Sequence, residues 1–430
     1  MNSIVKLSLR FFPKSLGLLT AGFLLACQVP ATQQPQFEKN LTLLSVLPLS
    51  GSLKSKGPSR QRAADLAASQ INQAGGVNAQ EIRLEHIDSG TQSSTAINAV
   101  RPFLAAHPET PFLIGASSSQ VSRALLEEVT KHETLMISPA STASFFTGGD
   151  PEQHFFRTAP SDAYQGNILA QRMIESGLSE IGVLHLNDTY GNSLKETLST
   201  ALLAEGARVM ASDSYDAVDF DQPQSITALQ DKVKSLLNTP IQALCLVGYP
   251  AEAPLIFNAW LESGLLPDLR WFFSDGLKAA EIVKGVTSPN RLDQSLGTVP
   301  SSAPREESSR FESDYLAAYN ELPVSFAANT YDAVALAAFA LQRFASKSTP
   351  SLRQALQEVS SPPGIPIGTG VAEFKRGLEA LAQGKDIDYQ GASGIVDLDA
   401  QGDVLSDYEI WTLKKGFIFR VETRSSLIQD

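Results

Sequence analysis

Pro111–Thr142 reads PFLIGASSSQVSRALLEEVTKHETLMISPAST. Pro111–Ile114 is a short apolar run, Val121–Lys131 has helical spacing, and Thr134–Ile137 is apolar again. A strand, a helix and a strand at this spacing form a βαβ unit of a parallel sheet. The same alternation extends toward the N-terminus. Leu41–Leu47 and Ile82–Ile87 read as strands. Ser59–Gln73 reads as a helix stopped at Gly75-Gly76, and Thr95–Leu104 as a second.

The alternation restarts after Pro160. Helices are expected over Ala163–Ser176, Asn192–Glu205, Ser225–Leu237 and Ala251–Ser263. Strands are expected over Ile181–Leu186, Ala207–Met210, Ile241–Val247 and Leu269–Phe273. From Ser309 the chain turns helical, over Phe311–Asn320, Phe326–Phe344 and Ser351–Val359. Ser360–Asp388 reads as irregular with room for a short helix, and Gly394–Leu398 with Tyr408–Leu413 as a hairpin-type return. Two runs of βα units in series predict an α/β protein of two doubly wound lobes.

At 430 residues, two domains are the prior expectation. Apolar content of 43% and charged content of 19% describe a globular chain. A formal charge of −12 argues against nucleic acid, whose recognition rests on a basic surface. Only Cys27 and Cys245 are present, and Cys245 lies in the apolar run Ala243–Val247, as a core thiol would. The five histidines are scattered, and neither a metal nor a cofactor is expected.

Lys6, Arg10 and Lys14 precede the uncharged run SLGLLTAGFLLA at Ser15–Ala26. That run is too short to span a bilayer and reads as the core of a secretory signal covering residues 1–26. Leu24-Leu25-Ala26-Cys27 resembles the bacterial lipobox, which implies acylation of Cys27, with residues 27–40 as a tether to the membrane. Cleavage there removes three positive charges from a chain of −12, leaving −15. The alternative is a signal cut elsewhere, with Cys27 incidental.

Ligands of doubly wound sheets bind beyond the carboxyl ends of the strands. That rule selects the loops Gly51–Gly57, Ala116–Gln120, Ser138–Ser144, Asn187–Gly191, Gly248–Pro250 and Ser274–Gly276. They hold hydroxyl groups and two carboxylates, Asp188 and Asp275. Such a mixture suits an amino acid, which needs donors for its carboxylate and acceptors for its ammonium.

Pro48-Leu49-Ser50-Gly51, Ile71–Val77, Leu113-Ile114-Gly115, Leu135–Ala140, Phe156-Arg157-Thr158, Tyr190-Gly191 and Tyr331-Asp332-Ala333 occur in a specific order and spacing. In these the chain resembles the Leu/Ile/Val-binding proteins, type I periplasmic solute-binding proteins of ABC transporters, from about Leu41 to Leu413. The resemblance implies a cleft closing on a ligand, a membrane permease as partner, and a periplasmic or cell-surface location. It places the ligand carboxylate at Ser119, with Ser117 and Ser118 as rivals, and the head group at Ala140 and Thr142. Tyr190 and Tyr249 would close from the second lobe, and Asp275 would face the ammonium. It further implies lobes of 41–160 plus 300–392 and 161–299 plus 393–424, with crossings near Ala159–Asp162, Thr298–Ser301 and Gln390–Gly394.

Each site also has a structural reading. Ser117–Ser119 suit a helix cap, Thr142 a turn, the tyrosines cleft-edge packing, and Asp275 the cap of a helix near Leu277. The first loop departs from the family, because Lys56 stands near the position of an aromatic residue. It is either a solvated lysine or one that faces the pocket and favours a polar or acidic ligand side chain. No Gly-x-Ser-x-Gly, phosphate-loop or His-Glu-x-x-His motif points to an enzyme. A ligand-sensing lipoprotein of the same fold is the alternative to a transport protein.

Overall fold

A computed structural model describes residues 40–150, 152–301, 305–346 and 349–425. The expected signal segment, Cys27 and most of the tether lie outside the described residues. In chain order the first lobe begins β1 (Asn40–Leu47), α1 (Gly57–Gln73), β2 (Glu81–Asp88), α2 (Ser93–Ala106), β3 (Phe112–Gly115), α3 (Ser119–Lys131), β4 (Leu135–Ser138) and β5 (Phe155–Arg157). The second continues α4 (Asp162–Glu175), β6 (Glu180–Leu186), α5 (Thr189–Ala204), β7 (Arg208–Tyr215), α6 (Pro223–Leu237), β8 (Ala243–Val247), α7 (Ala253–Ser263), β9 (Arg270–Phe273) and β10 (Leu296–Pro300). The chain then returns to the first lobe as α8 (Glu306–Tyr319), α9 (Ala327–Ala345), α10 (Leu352–Ser360), β11 (Ile365–Ile367), α11 (Val371–Ala382), β12 (Ile387–Gly391) and β13 (Gly394–Ile395). It ends in the second lobe as β14 (Tyr408–Lys414) and β15 (Phe417–Arg424).

The first sheet has the order β2-β1-β3-β4-β5, and all its pairs are parallel. The second is β15-β14-β10-β9-β8-β6-β7, parallel except where β14 joins β10 and β15. Both are doubly wound. Strand order reverses between β1 and β3 in one lobe and between β6 and β8 in the other, so the loops leaving those strands diverge and open a crevice. Buried parallel strands read as near-continuous apolar runs, as β3, β4 and β8 do, with every residue buried. Cys245 in β8 is a core thiol, its pKa pushed up to about 12 by burial. All three tryptophans, Trp260, Trp271 and Trp411, lie in the core of the second lobe.

Helix α9 is the axis of the first lobe, with its apolar residues buried almost all round. Its Asp332 carboxylate accepts hydrogen bonds from Tyr389 Oη, Ala392 N and Ser393 N at 2.7–2.8 Å and from Ser393 Oγ at 2.5 Å. These bonds fasten the small sheet β11-β12-β13 to α9, and burial raises the Asp332 pKa to about 6.

The carboxyl-terminal third departs from expectation. Ser360–Asp388 is not irregular: it holds β11 and the 12-residue α11, whose buried Phe374, Leu378 and Leu381 follow helical spacing. Gly394-Ile395 pairs with β12 rather than with β14, and β14 forms its hairpin with β15. The third crossing comes later than Gln390–Gly394, because Val396, Leu398 and Val404 still pack in the first-lobe core, whereas Tyr408 enters the second. The second and third crossings run side by side, joined by Ser301 N donating to Asp407 O at 2.7 Å.

Candidate functional site

The loop after β3 is shaped by close approach. A Cβ on Gly115 (φ +140°) would meet Val46 O at 2.3 Å, so β1 and β3 can lie this close only with glycine there. Ser138 Oγ and Ser141 Oγ donate to Ala116 O at 2.6 and 3.2 Å, and Ser122 Oγ lies 2.8 Å from Ser141 Oγ. This hydroxyl network ties the loops after β3 and β4 into one wall. Behind it, fully buried Arg157 forms a bidentate pair with Asp403 at 2.6 and 2.9 Å and donates to the carbonyls of Ser141 and Ala143. The loop after β4 is thereby braced against the segment that carries Asp403.

On this wall Ser117, Ser119 and Ala140 line a small cavity between the lobes. Ser118 stands at the N-cap of α3, but its side chain accepts no capping bond there. Its Oγ instead accepts from Tyr249 Oη of the other lobe at 3.4 Å. Ser119 Oγ accepts from Ala143 N at 3.3 Å, and Ser117 Oγ is buried without a partner. Thr142 does not line the cavity: it gives its carbonyl to Asp162 N at 2.7 Å, and its hydroxyl lies beside the Asp162 carboxylate.

The facing wall comes from the second lobe. Tyr190 and Tyr249 stack with ring centroids 5.6 Å apart and planes 4° from parallel. Tyr190 Oη donates to Asp275 Oδ1 at 2.5 Å, and all three line the cavity. Glycine is required at 276, where a Cβ would meet Gly248 O at 2.3 Å. Asp275 therefore contacts a tyrosine rather than capping a regular helix. Asp188 is the residue that caps, accepting from Gly191 N at 2.8 Å at the start of α5, with its pKa raised to about 6 by burial.

Three buried residues, Arg60, Asp162 and Glu252, and the exposed Gln120 escaped the sequence reading. Arg60, 2% exposed, lines the cavity from α1. Asp162 at the start of α4 is fully buried, its carboxylate beside the Thr142 hydroxyl. Burial and neighbouring Asp275 push its pKa well up, and burial raises Asp275 too. Glu252 accepts from Ser52 Oγ of the other lobe at 2.6 Å, and Gln120 Oε1 accepts from Thr189 N at 3.0 Å. A signal for Arg60 existed: it shares the buried stripe of Ala63, Ala64, Ala67 and Ile71 on α1.

Lys56 is not solvated. It is 2% exposed and crosses the cleft, donating from Nζ to Lys278 O at 2.5 Å. Desolvation lowers its pKa to about 7. With the contacts of Ser52, Ser118 and Gln120, and a bond from Ser144 N to Ser193 Oγ at 2.8 Å, it holds the lobes closed. The cavity inside measures about 20 Å³, space for roughly one water molecule. A cavity of this size holds no solute as large as an amino acid, so binding one requires the lobes to part.

Residues 59–416 match the family described as the receptor family ligand binding region. The chemotactic signal transduction system substrate-binding protein BasB of Halobacterium salinarum is 27% identical over 402 residues, 90% of this chain and 89% of its own. The leucine binding protein LivK of Thermotoga maritima superposes with a TM-score of 0.72 at 19% identity, over 90% of this chain and 99% of that one. A solute binding protein of an ABC transporter from R. palustris, in complex with benzoate, gives 0.68 at 17% identity, over 90% and 96%.

Proposed function

Since the chain belongs to the receptor family ligand binding region, as a type I periplasmic binding protein of the Leu/Ile/Val-binding kind and not an enzyme, we propose that it captures an amino acid between its lobes and presents it to the permease of an ABC importer. The observation that carries this reading is the convergence of buried polar groups from both lobes on one cavity. Ser119 and Ser117, whose Oγ has no partner among the described residues, line one wall, and Asp275 stands on the other. Hydroxyl donors on the first lobe take the ligand carboxylate through Ser117, Ser118 or Ser119. Ala140 and Thr142 hold the head group, and Asp275 faces the ammonium.

Binding then proceeds by hinge movement. Ligand meets the serine wall of the open form, and Tyr190, Tyr249 and Asp275 close on it. The closed state gains only what the ligand contacts there and not in the open form. Cys27 is proposed to anchor the chain at the outer face of a membrane, and a mass shift on an N-terminal peptide tests it. The likeness to BasB, over nine-tenths of the chain, favours one second reading: ligand sensing through a signalling partner instead of a permease.

A thermal-shift screen against amino acids, simple amides, urea and aromatic acids tests the binding reading, because a ligand of the folded state raises the melting temperature by mass action. A shift with an amino acid, lost in Asp275→Ala and Thr142→Ala, is expected. Silence toward every amino acid sinks the assignment.

A further inference from the structure

Arg60 is a cation in the ligand cavity whose donors are not used up. Its Nε donates to Ser325 O at 3.2 Å and its guanidinium lies 5.2 Å from the ring centroid of Phe326, but Nη1 is buried with no partner among the described residues. Phe326 lines the same cavity and is held at a φ of +67°, a conformation a bulky side chain rarely adopts. The strained residue thus forms the floor on which the guanidinium rests. One turn before, Lys56 brings a second buried ammonium, and the two repel each other.

Asp275 is the one carboxylate that attracts both. If Asp275 also receives a ligand ammonium, the two basic side chains share one anion that is already engaged. A guanidinium offers five N–H donors in a planar fork matched to a carboxylate. An apolar side chain lying there would leave that fork buried and unmet, which is costly. We infer that Arg60 is a specificity residue and that the ligand carries a second carboxylate on its side chain, as an acidic amino acid does. This rests on the proposed amino-acid function and narrows it.

Calorimetric titration of the full chain with L-glutamate, L-aspartate, L-glutamine and L-leucine tests the inference. An acidic amino acid should bind about 30-fold or more tightly than glutamine and leucine, the scale of a buried charge pair. Arg60→Met should abolish that preference, bringing the acid-to-amide affinity ratio to about one, and Arg60→Lys should restore part of it. Leucine or glutamine binding as tightly as both acids overturns the inference and leaves the amino-acid function standing. No binding by any of the four overturns the inference, and the amino-acid function falls with it only if the remaining amino acids are silent in the thermal-shift screen. If Arg60→Met fails to fold, the acid-to-amide ratio of the unaltered protein decides alone.

Discussion

The two walls of the cleft are built from different chemistry. The first-lobe wall is a braced network of hydroxyls and carbonyls with two cations, Lys56 just before α1 and Arg60 in its first turn. The second-lobe wall is two stacked tyrosines and acids, Asp275 and Glu252. One wall is a hydroxyl-rich surface and the other an acidic, aromatic cover. Under the proposed function, the first lobe would orient the ligand and the second would close over it.

The largest test removes the brace. Replacing Arg157 by Met leaves Asp403 buried and unpaired, and chemical denaturation should register a loss of about 3–5 kcal/mol. A loss below about 1 kcal/mol would show that the serine wall stands without it. On the opposite wall, Asp275→Asn should leave the melting temperature of the ligand-free protein within a few degrees and weaken binding of the ligand found in the screen by about 30-fold or more. Equal weakening by a first-lobe change with no effect at Asp275 would reverse the assignment of roles.

Lys56 joins the walls and gives the closure a pH dependence. Its surroundings are Arg60, Lys278, Asp275 and Glu281, and burial brings its pKa from the ordinary 10.5 to about 7. Closing therefore releases a proton between those values. The penalty on closing is full below pH 7, eases by about tenfold per pH unit as pH rises, and vanishes above 10.5. The radius of gyration of the ligand-free protein should fall between pH 7 and 9, and Lys56→Met should flatten the curve. The smallest effect belongs to Ser52→Ala, which removes one bond to buried Glu252. It should shift the same scattering signal toward the open form by about 1 kcal/mol.

The βα alternation was legible because buried parallel strands are continuous apolar runs bounded by loops. β15 was not. It is an edge strand whose Phe417, Phe419 and Val421 are exposed beside Arg420 and Glu422, so no buried face patterns it. α11 was readable from Phe374, Leu378 and Leu381, but the Gly- and Pro-rich segment before it masked the spacing. Of the site, the residues at strand ends were reachable from topology alone, and Ser117, Ser119, Ala140, Tyr190, Tyr249 and Asp275 line one cavity. Arg60 and Asp162 were not reachable that way, because they project from helices, where a charged residue ordinarily faces water.

The tryptophans divide the molecule optically. With Trp260, Trp271 and Trp411 all in the second lobe, indole emission follows that half alone. During unfolding, far-ultraviolet dichroism follows both halves. Two transitions that fail to coincide would therefore reveal the lobes melting separately, and would say which one goes first, without any label being attached.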